Sequence, residues 1–344
     1  MGDVLHAMPA VAALRERHPD WFIGWAIEPR WLPLLQADSD VSRPFERGPA
    51  MPMVDRTYLA STREWKRRPF SFGTVREITT LRSVLRGEQF DVCVDMQGSI
   101  RSAVIGRMAG AQSFVGAAEP REAPARWLYG QQVRVSATHV IEQGRELLGA
   151  AVGETLRPAK VTLPVAPAAE RWCDALLTES GERFAVVAPT AGWGAKQWPA
   201  ERYGAVAAAL ARAGVRTLVN AASTEDDEGR RVVESSDGAA TLVPCSVTQM
   251  IALVRRAAVV IAGDTGPMHL GAALERPVVG LYGPTDPARS GPYGAVSRVL
   301  RHGSSRNDHS RHQETETGLM QITTEEVVGA ALQLLRAGQD KVKV

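Results

Sequence analysis

The stretch Val259-Val260-Ile261-Ala262-Gly263-Asp264-Thr265-Gly266-Pro267-Met268-His269-Leu270-Gly271-Ala272-Ala273 decides how the chain is to be read. Its apolar run, rich in β-branched residues, predicts a buried strand; it ends at Gly-Asp-Thr-Gly, and a helix of small residues follows at once. Asp264 and Thr265 suit the helix cap, Gly266 lets a ligand approach the backbone, and Pro267 falls where its missing N–H costs nothing. The N–H groups and positive dipole end of such a helix face an anion, a phosphate foremost. An ordinary capped helix has the same pattern, so the surrounding chain has to decide between the two.

Composition sets the bounds. The chain has 344 residues, 44% hydrophobic and 23% charged, a globular balance with room for two domains of roughly 150 residues each. A net charge of +2 excludes a global nucleic-acid footprint, so an anionic partner must meet a local patch. Cys93, Cys173 and Cys245 fit no metal or disulfide spacing, which suits a reducing cytoplasm. No run approaches the roughly 18 apolar residues of a membrane span, and no secretory signal opens the chain.

Helices and strands alternate from both sides of the opening stretch. Gly2 to Leu14 predicts a turn passing directly into a helix with no strand before it, which leaves the first unit of an α/β fold without its opening strand. Trp21 to Ile27 and Phe90 to Gly98 predict strands; Ser99 to Met108 and His139 to Leu148 predict helices. Residues 55 to 73 carry Arg56, Arg63, Lys66, Arg67 and Arg68 around Trp65 and Phe70: either a solvated face or a patch for phosphates, carboxylates or anionic lipid head groups. Prolines from Pro158 to Pro167 mark a connection, with a short strand expected between Leu156 and Pro164. Beyond it, strands at Phe184 to Thr190, Thr217 to Asn220, Val259 to Gly263 and Val278 to Gly283 alternate with helices over Trp198 to Gly214, Glu225 to Ser235 and Val247 to Arg256. Residues 301 to 317 predict an exposed loop, and Thr323 to Gly338 a capped closing helix. The pattern is an α/β, doubly wound parallel sheet in each half.

Ligands in such sheets bind beyond the carboxyl ends of the strands. In the second half the turns at those ends are Thr190 to Lys196, Ala221 to Asp226, Gly263 to His269 and Gly283 to Asp286. They offer hydroxyls, a lysine, carboxylates and a histidine around a helix N-terminus, a set that suits a nucleoside diphosphate. Taken singly, Lys196 reads as a surface residue, Glu225 as a first-turn acid and His269 as a packing residue; their coincidence on one sheet edge points to a site. No Walker-type loop is present, which argues against phosphoryl transfer from ATP.

Gly263-Asp264-Thr265-Gly266-Pro267-Met268-His269, followed by Ala272-Ala273-Leu274, Pro277 and Tyr282-Gly283-Pro284-Thr285-Asp286-Pro287, resembles the ADP-heptose:lipopolysaccharide heptosyltransferases, glycosyltransferase family 9. Met1-Gly2-Asp3-Val4-Leu5-His6-Ala7-Met8-Pro9-Ala10 is similar to the first turn and helix of that family, and Lys196-Gln197-Trp198-Pro199 to its lysine loop. The resemblance covers nearly the whole chain and implies a GT-B architecture: an acceptor-binding Rossmann-like domain over residues 1–160, a nucleotide-sugar-binding one over 161–322 facing it across a cleft, and a closing helix over 323–344 packing back toward the first domain. It implies an inverting transfer of heptose from ADP-heptose to the Kdo/heptose inner core of lipopolysaccharide, with Asp3 as general base. Thr190, Lys196, Asp264, Thr265, Gly266 and His269 then serve the donor diphosphate, Glu225 or Asp226 the ribose, and Cys245 the wall of the adenine pocket. Arg63, Lys66, Arg67 and Arg121 become contacts for an anionic, lipid-linked acceptor.

Because lysine and helix dipole neutralise the leaving group, no metal or other cofactor is expected. The expected partners are the nucleotide sugar and the lipid-linked acceptor, without nucleic acid, and the expected place is the cytoplasm at the inner face of the inner membrane. The family's first strand is absent before Met1, which predicts a frayed terminus around Asp3 and an apolar strand upstream. Two other readings keep the fold: a GT-B glycosyltransferase with a different sugar donor or acceptor, and a non-catalytic nucleotide-sugar-binding fragment. The architecture alone also hosts epimerases.

Overall fold

The computed structural model describes residues 1–37, 47–180, 183–308 and 313–340. Its contacts divide the chain into two compact units, Asp3–Pro164 and Val165–Val344.

The N-terminal unit runs α1 (Gly2–Arg17), β1 (Gly24–Ile27), β2 (Arg56–Leu59), α2 (Thr62–Arg67), α3 (Phe72–Gly87), β3 (Val92–Asp95), α4 (Ile100–Ala109), β4 (Ser113–Ala117), β5 (Gln131–Val133) and α5 (Val140–Val152). Its strands form two parallel sheets, β1-β2 and β3-β4-β5. Leu5, Met8, Ala10, Val11 and Leu14 of α1 are buried, so the opening helix is part of the core. Pro29–Leu34 forms a 3₁₀ turn. One expectation changes here: no strand forms between Leu156 and Pro164, where Pro158 and Pro164 each lack the N–H that a ladder needs.

The C-terminal unit runs α6 (Pro167–Ser180), β6 (Phe184–Ala188), α7 (Ala200–Arg212), β7 (Arg216–Ala221), α8 (Asp227–Glu234), β8 (Ala240–Pro244), α9 (Val247–Arg256), β9 (Val259–Gly263), α10 (Gly266–Ala273), β10 (Val278–Tyr282), α11 (Pro287–Ser290), β11 (Ser297–Arg301), α12 (Thr317–Gln321) and α13 (Thr324–Asp340). Six parallel strands lie in the order β11-β10-β9-β6-β7-β8. Every residue of β6, β9 and β10 is buried, as continuous apolar runs in a sheet covered on both faces must be. Trp198 and Tyr203 pack edge to face at 4.9 Å beneath the sheet, in a core that also takes in Val206, Leu210, Val219, Ile261 and Leu281.

The closing helix α13 lies on α7 and on β9, β10 and β11 of its own unit. Val327, Ala331, Leu334 and Leu335 are its buried face, and that apolar stripe holds it to the C-terminal core. Thr323 caps it: its hydroxyl accepts from the Glu326 N–H at 3.2 Å, and the Glu326 carboxylate accepts from the Thr323 N–H at 2.8 Å. Of the loop expected over 301 to 317, residues 309–312 lie outside the described residues; 302–308 and 313–316 are without regular structure.

Candidate active site

Strand order places the site of the C-terminal unit. β6 is the first strand; the chain moves to β7 and β8 on one side of it and returns to β9 on the other, so the order reverses between β6 and β9, where carboxyl-end loops part and leave a crevice. The loops that follow these two strands carry Thr190 to Lys196 and Gly263 to His269.

Asp264 is the centre of this arrangement. Lys196 Nζ donates to its Oδ2 at 2.5 Å, and His269 Nε2 lies 3.2 Å from its Oδ1. Burial by itself raises the Asp264 carboxyl pKa, but the His269 hydrogen bond and the Lys196 charge outweigh it and hold it well below the carboxylate range. Lys196 also lies over the Trp193 ring, 4.9 Å from its centroid. Its loop is pinned from below and above. A Cβ on Gly194 would stand only 1.6 Å from the Gln313 carbonyl, so that position needs glycine, and one on Gly263 would press on the Lys196 carbonyl at 3.0 Å. Glu316 N–H donates to Ala195 O at 3.2 Å, and the Thr315 hydroxyl to Gln197 O at 2.8 Å.

The expected side-chain cap of α10 does not form. Thr265 stands at the N-cap, yet its hydroxyl donates back to Gly263 O at 3.2 Å, and Asp264 is drawn to Lys196 and His269. A buried ion pair outcompetes a cap bond for the same carboxylate. The first-turn N–H groups of α10, which have no intrahelical partners, are therefore not covered by either side chain.

The residues expected to meet the ribose and base sit at the neighbouring strand ends. Asp226 caps α8, accepting from the Gly229 N–H at 2.9 Å, and the Thr190 hydroxyl reaches its carboxylate at 3.4 Å. Glu225 is exposed beside it, the less committed carboxylate. Cys245 follows β8 and accepts from the Asn220 amide at 3.0 Å; burial pushes its thiol up to about 11, so it stays protonated.

In the N-terminal unit, Asp3 lies in the first turn of α1, where the Met1 carbonyl accepts from the N–H groups of Val4 and Leu5 at 3.1 Å. This corrects the frayed terminus expected from sequence: the Gln97 amide donates to the Asp3 carboxylate at 2.9 Å and Arg121 to the same oxygen at 3.3 Å. The turn that presents Gln97 is organised by Asp95, a buried carboxylate that accepts from the N–H groups of Gln97 and Gly98, from the Ser102 hydroxyl at 3.0 Å and from the Tyr129 hydroxyl at 2.8 Å. Gly98 has φ +67°, and a Cβ there would stand 2.9 Å from the Arg121 nitrogen, so the turns carrying Gln97 and Arg121 are fitted together.

Arg63, Lys66 and Arg67 lie exposed on α2. Arg67 pairs with Glu64 at 3.3 Å, and Arg63 is close enough to the chain's first amine to lower its pKa, after burial and together with Arg30. Arg56 leaves the patch, because it pairs with Glu88.

Sequence reasoning passed over four residues. Trp193 and Thr285, the latter buried with a hydroxyl that has no partner among the described residues, sit in turns already singled out. Gln97 and Arg30 meet the site only through partners distant in the chain, and nothing local marks them. Among the described residues no group of three or more His, Cys, Asp or Glu is placed to hold a metal ion, and no helix is long and apolar enough to cross a membrane.

A family model described as glycosyltransferase family 9 (heptosyltransferase) matches residues 78–320. Lipopolysaccharide heptosyltransferase 1 of Escherichia coli K12 is 28% identical over 305 residues, covering 88% of this chain and 90% of that protein. The Pseudomonas aeruginosa protein of the same name is 28% identical over 300 residues, covering 86% of this chain and 79% of its own length. Among solved structures, E. coli heptosyltransferase WaaC with ADP superposes with a TM-score of 0.76 at 25% identity, covering 97% of this chain and 96% of that one. WaaC bound to ADP-2-deoxy-2-fluoro heptose gives 0.73 at 25% identity, covering 98% and 96%.

Proposed function

The chain belongs to glycosyltransferase family 9, the heptosyltransferases, and from that premise we propose that it transfers a heptose, with inversion, from ADP-heptose to the Kdo/heptose inner core of lipopolysaccharide. The observation that carries this reading is the convergence of Lys196, Asp264 and the first turn of α10 where the loops after β6 and β9 part.

The C-terminal unit holds the donor. Lys196 has three donors, of which one is given to Asp264 Oδ2, so its ammonium can serve Asp264 and a phosphate oxygen at once. The N–H groups of Thr265 and Gly266, the Thr190 hydroxyl and His269 surround the same diphosphate, while Asp264 orients lysine and histidine. Glu225, with Asp226 beside it, takes the ribose hydroxyls, and Cys245 closes the base pocket. As the bond from the anomeric carbon to the β-phosphate oxygen breaks, ADP leaves with the electron pair, and the lysine and the helix end stabilise the growing negative charge.

The N-terminal unit holds the acceptor. The acceptor hydroxyl oxygen attacks the anomeric carbon from the face opposite ADP, and Asp3 takes its proton. Gln97 and Arg121 keep the Asp3 carboxylate in one orientation, and Arg121 with Arg63, Lys66 and Arg67 meets the carboxylates and phosphates of the acceptor. No metal is required of this set. A lipid-linked acceptor places the enzyme in the cytoplasm, at the inner face of the inner membrane.

Incubation with ADP-heptose and a Kdo-lipid A acceptor should release ADP in step with glycosylated product. Absence of turnover, with ADP-heptose binding intact, would overturn the acceptor assignment; absence of binding would overturn the donor assignment.

A further inference from the structure

The strongest feature outside the transfer chemistry is the turn that connects α2 to α3. Phe70 is 97% exposed and Phe72 84% exposed, which is rare for phenylalanine. The turn is nonetheless ordered by its own bonds. Arg68 N–H donates to Glu64 O at 3.1 Å, Ser71 N–H to Arg68 O at 3.2 Å, the Ser71 hydroxyl caps α3 by accepting from the Thr74 N–H at 3.1 Å, and the Trp65 indole donates to Glu77 at 2.8 Å, joining the two helices. The two rings are therefore held out by a built turn.

Charge selects what covers them. Lys66, Arg67, Arg68 and Arg76 are exposed around the two rings; Glu64 is occupied by Arg67 and Glu77 by Trp65. A second copy of the turn would bring the same cations face to face, which opposes self-association through it. An anionic bilayer surface satisfies both halves, phosphate head groups for the cations and the acyl boundary for the rings.

We propose that the α2–α3 turn is a membrane-docking element that inserts Phe70 and Phe72 into an anionic lipid surface while Lys66, Arg67, Arg68 and Arg76 bind its head groups. Its purpose rests on the lipid-linked acceptor reading, since it would hold the N-terminal unit where such an acceptor is anchored; its physics does not.

The test uses the full chain and sucrose-loaded vesicles of phosphatidylcholine, with and without phosphatidylglycerol, in the absence of donor and acceptor. Binding is expected to the anionic vesicles only and to weaken with salt. The Phe70→Ser/Phe72→Ser double variant should lose about tenfold or more in vesicle affinity, and Arg68→Glu/Arg76→Glu a comparable amount. Phe70→Trp emission should shift to the blue on adding anionic vesicles. Unchanged circular dichroism, and unchanged ADP release with a deacylated, water-soluble acceptor in the Phe70→Ser/Phe72→Ser variant, separates failure of docking from failure of the transferase reading. Equal binding of wild type and double variant, or equal binding to neutral and anionic vesicles, would overturn the proposal. So would a wild-type dimer in sedimentation that the double variant abolishes, which would make the turn a contact between copies.

Discussion

Asp264 is 7% exposed and caught between Lys196 and His269, whereas Asp3 is 53% exposed and touched by Gln97 and Arg121 at a surface. The first is a carboxylate fixed by a lysine and a histidine that have themselves largely left water, so its ionisation is bound up with folding. The second keeps access to solvent and to an incoming hydroxyl, as the proposed proton acceptor must. The difference teaches that an acid's surroundings suit it to a scaffold or a reagent role more surely than its residue type does.

The comparison breaks most easily at the buried end. Asp264→Ala leaves the Lys196 ammonium without its carboxylate and should cost about 3–5 kcal/mol in urea unfolding; a change below about 1 kcal/mol would show that the pair is not a scaffold. Asp3→Asn should change stability by less than about 0.5 kcal/mol yet lower kcat by about 10²–10⁴-fold, with ADP affinity retained; an active Asp3→Asn enzyme would remove the general base. Lys196→Met should weaken ADP binding about tenfold to a hundredfold by calorimetry, and unaltered affinity would reject its phosphate role.

A pH titration sharpens the contrast further. The Asp264 carboxyl is depressed in the folded protein, so its stabilisation is fully present above the unfolded value of about 4 and fades as pH falls from there toward the folded value. Asp264→Asn should lose that acid-side slope, measured as urea midpoint against pH. The smallest effect belongs to Gln97→Met, which keeps the volume and drops the amide: kcat should fall by about tenfold or less while the donor KM stays the same.

How much of this was legible in sequence also differs between the two regions. β6, β9 and β10 are continuous apolar runs because the sheet around them is covered on both faces, so period and composition expose them, and the turns at their ends follow. β4 and β5 are short and include Ser113, Gln131 and Gln132, while β11 is an edge strand that carries Arg298 and Arg301; pairing, not composition, makes them strands. Asp3, Lys196 and Asp264 are legible because they fall in motifs. Gln97 is not, since its partner Asp3 lies 94 residues away in the chain, and no local pattern encodes that meeting. The absence of a side-chain cap on α10 was equally hidden: it depends on Lys196 arriving from 68 residues upstream to claim Asp264.

The strap across the lysine loop has a consequence for how the molecule is made. Residues 313–316 lie against Gly194, Ala195 and Gln197, and the Ile322 carbonyl accepts from the Trp198 indole at 3.2 Å. During synthesis β6 and its loop emerge long before these residues exist, and contacts of such sequence separation form late. The lysine loop is thus completed late: products that stop before residue 313 carry Lys196 without the brace that residues 313–316 give its loop.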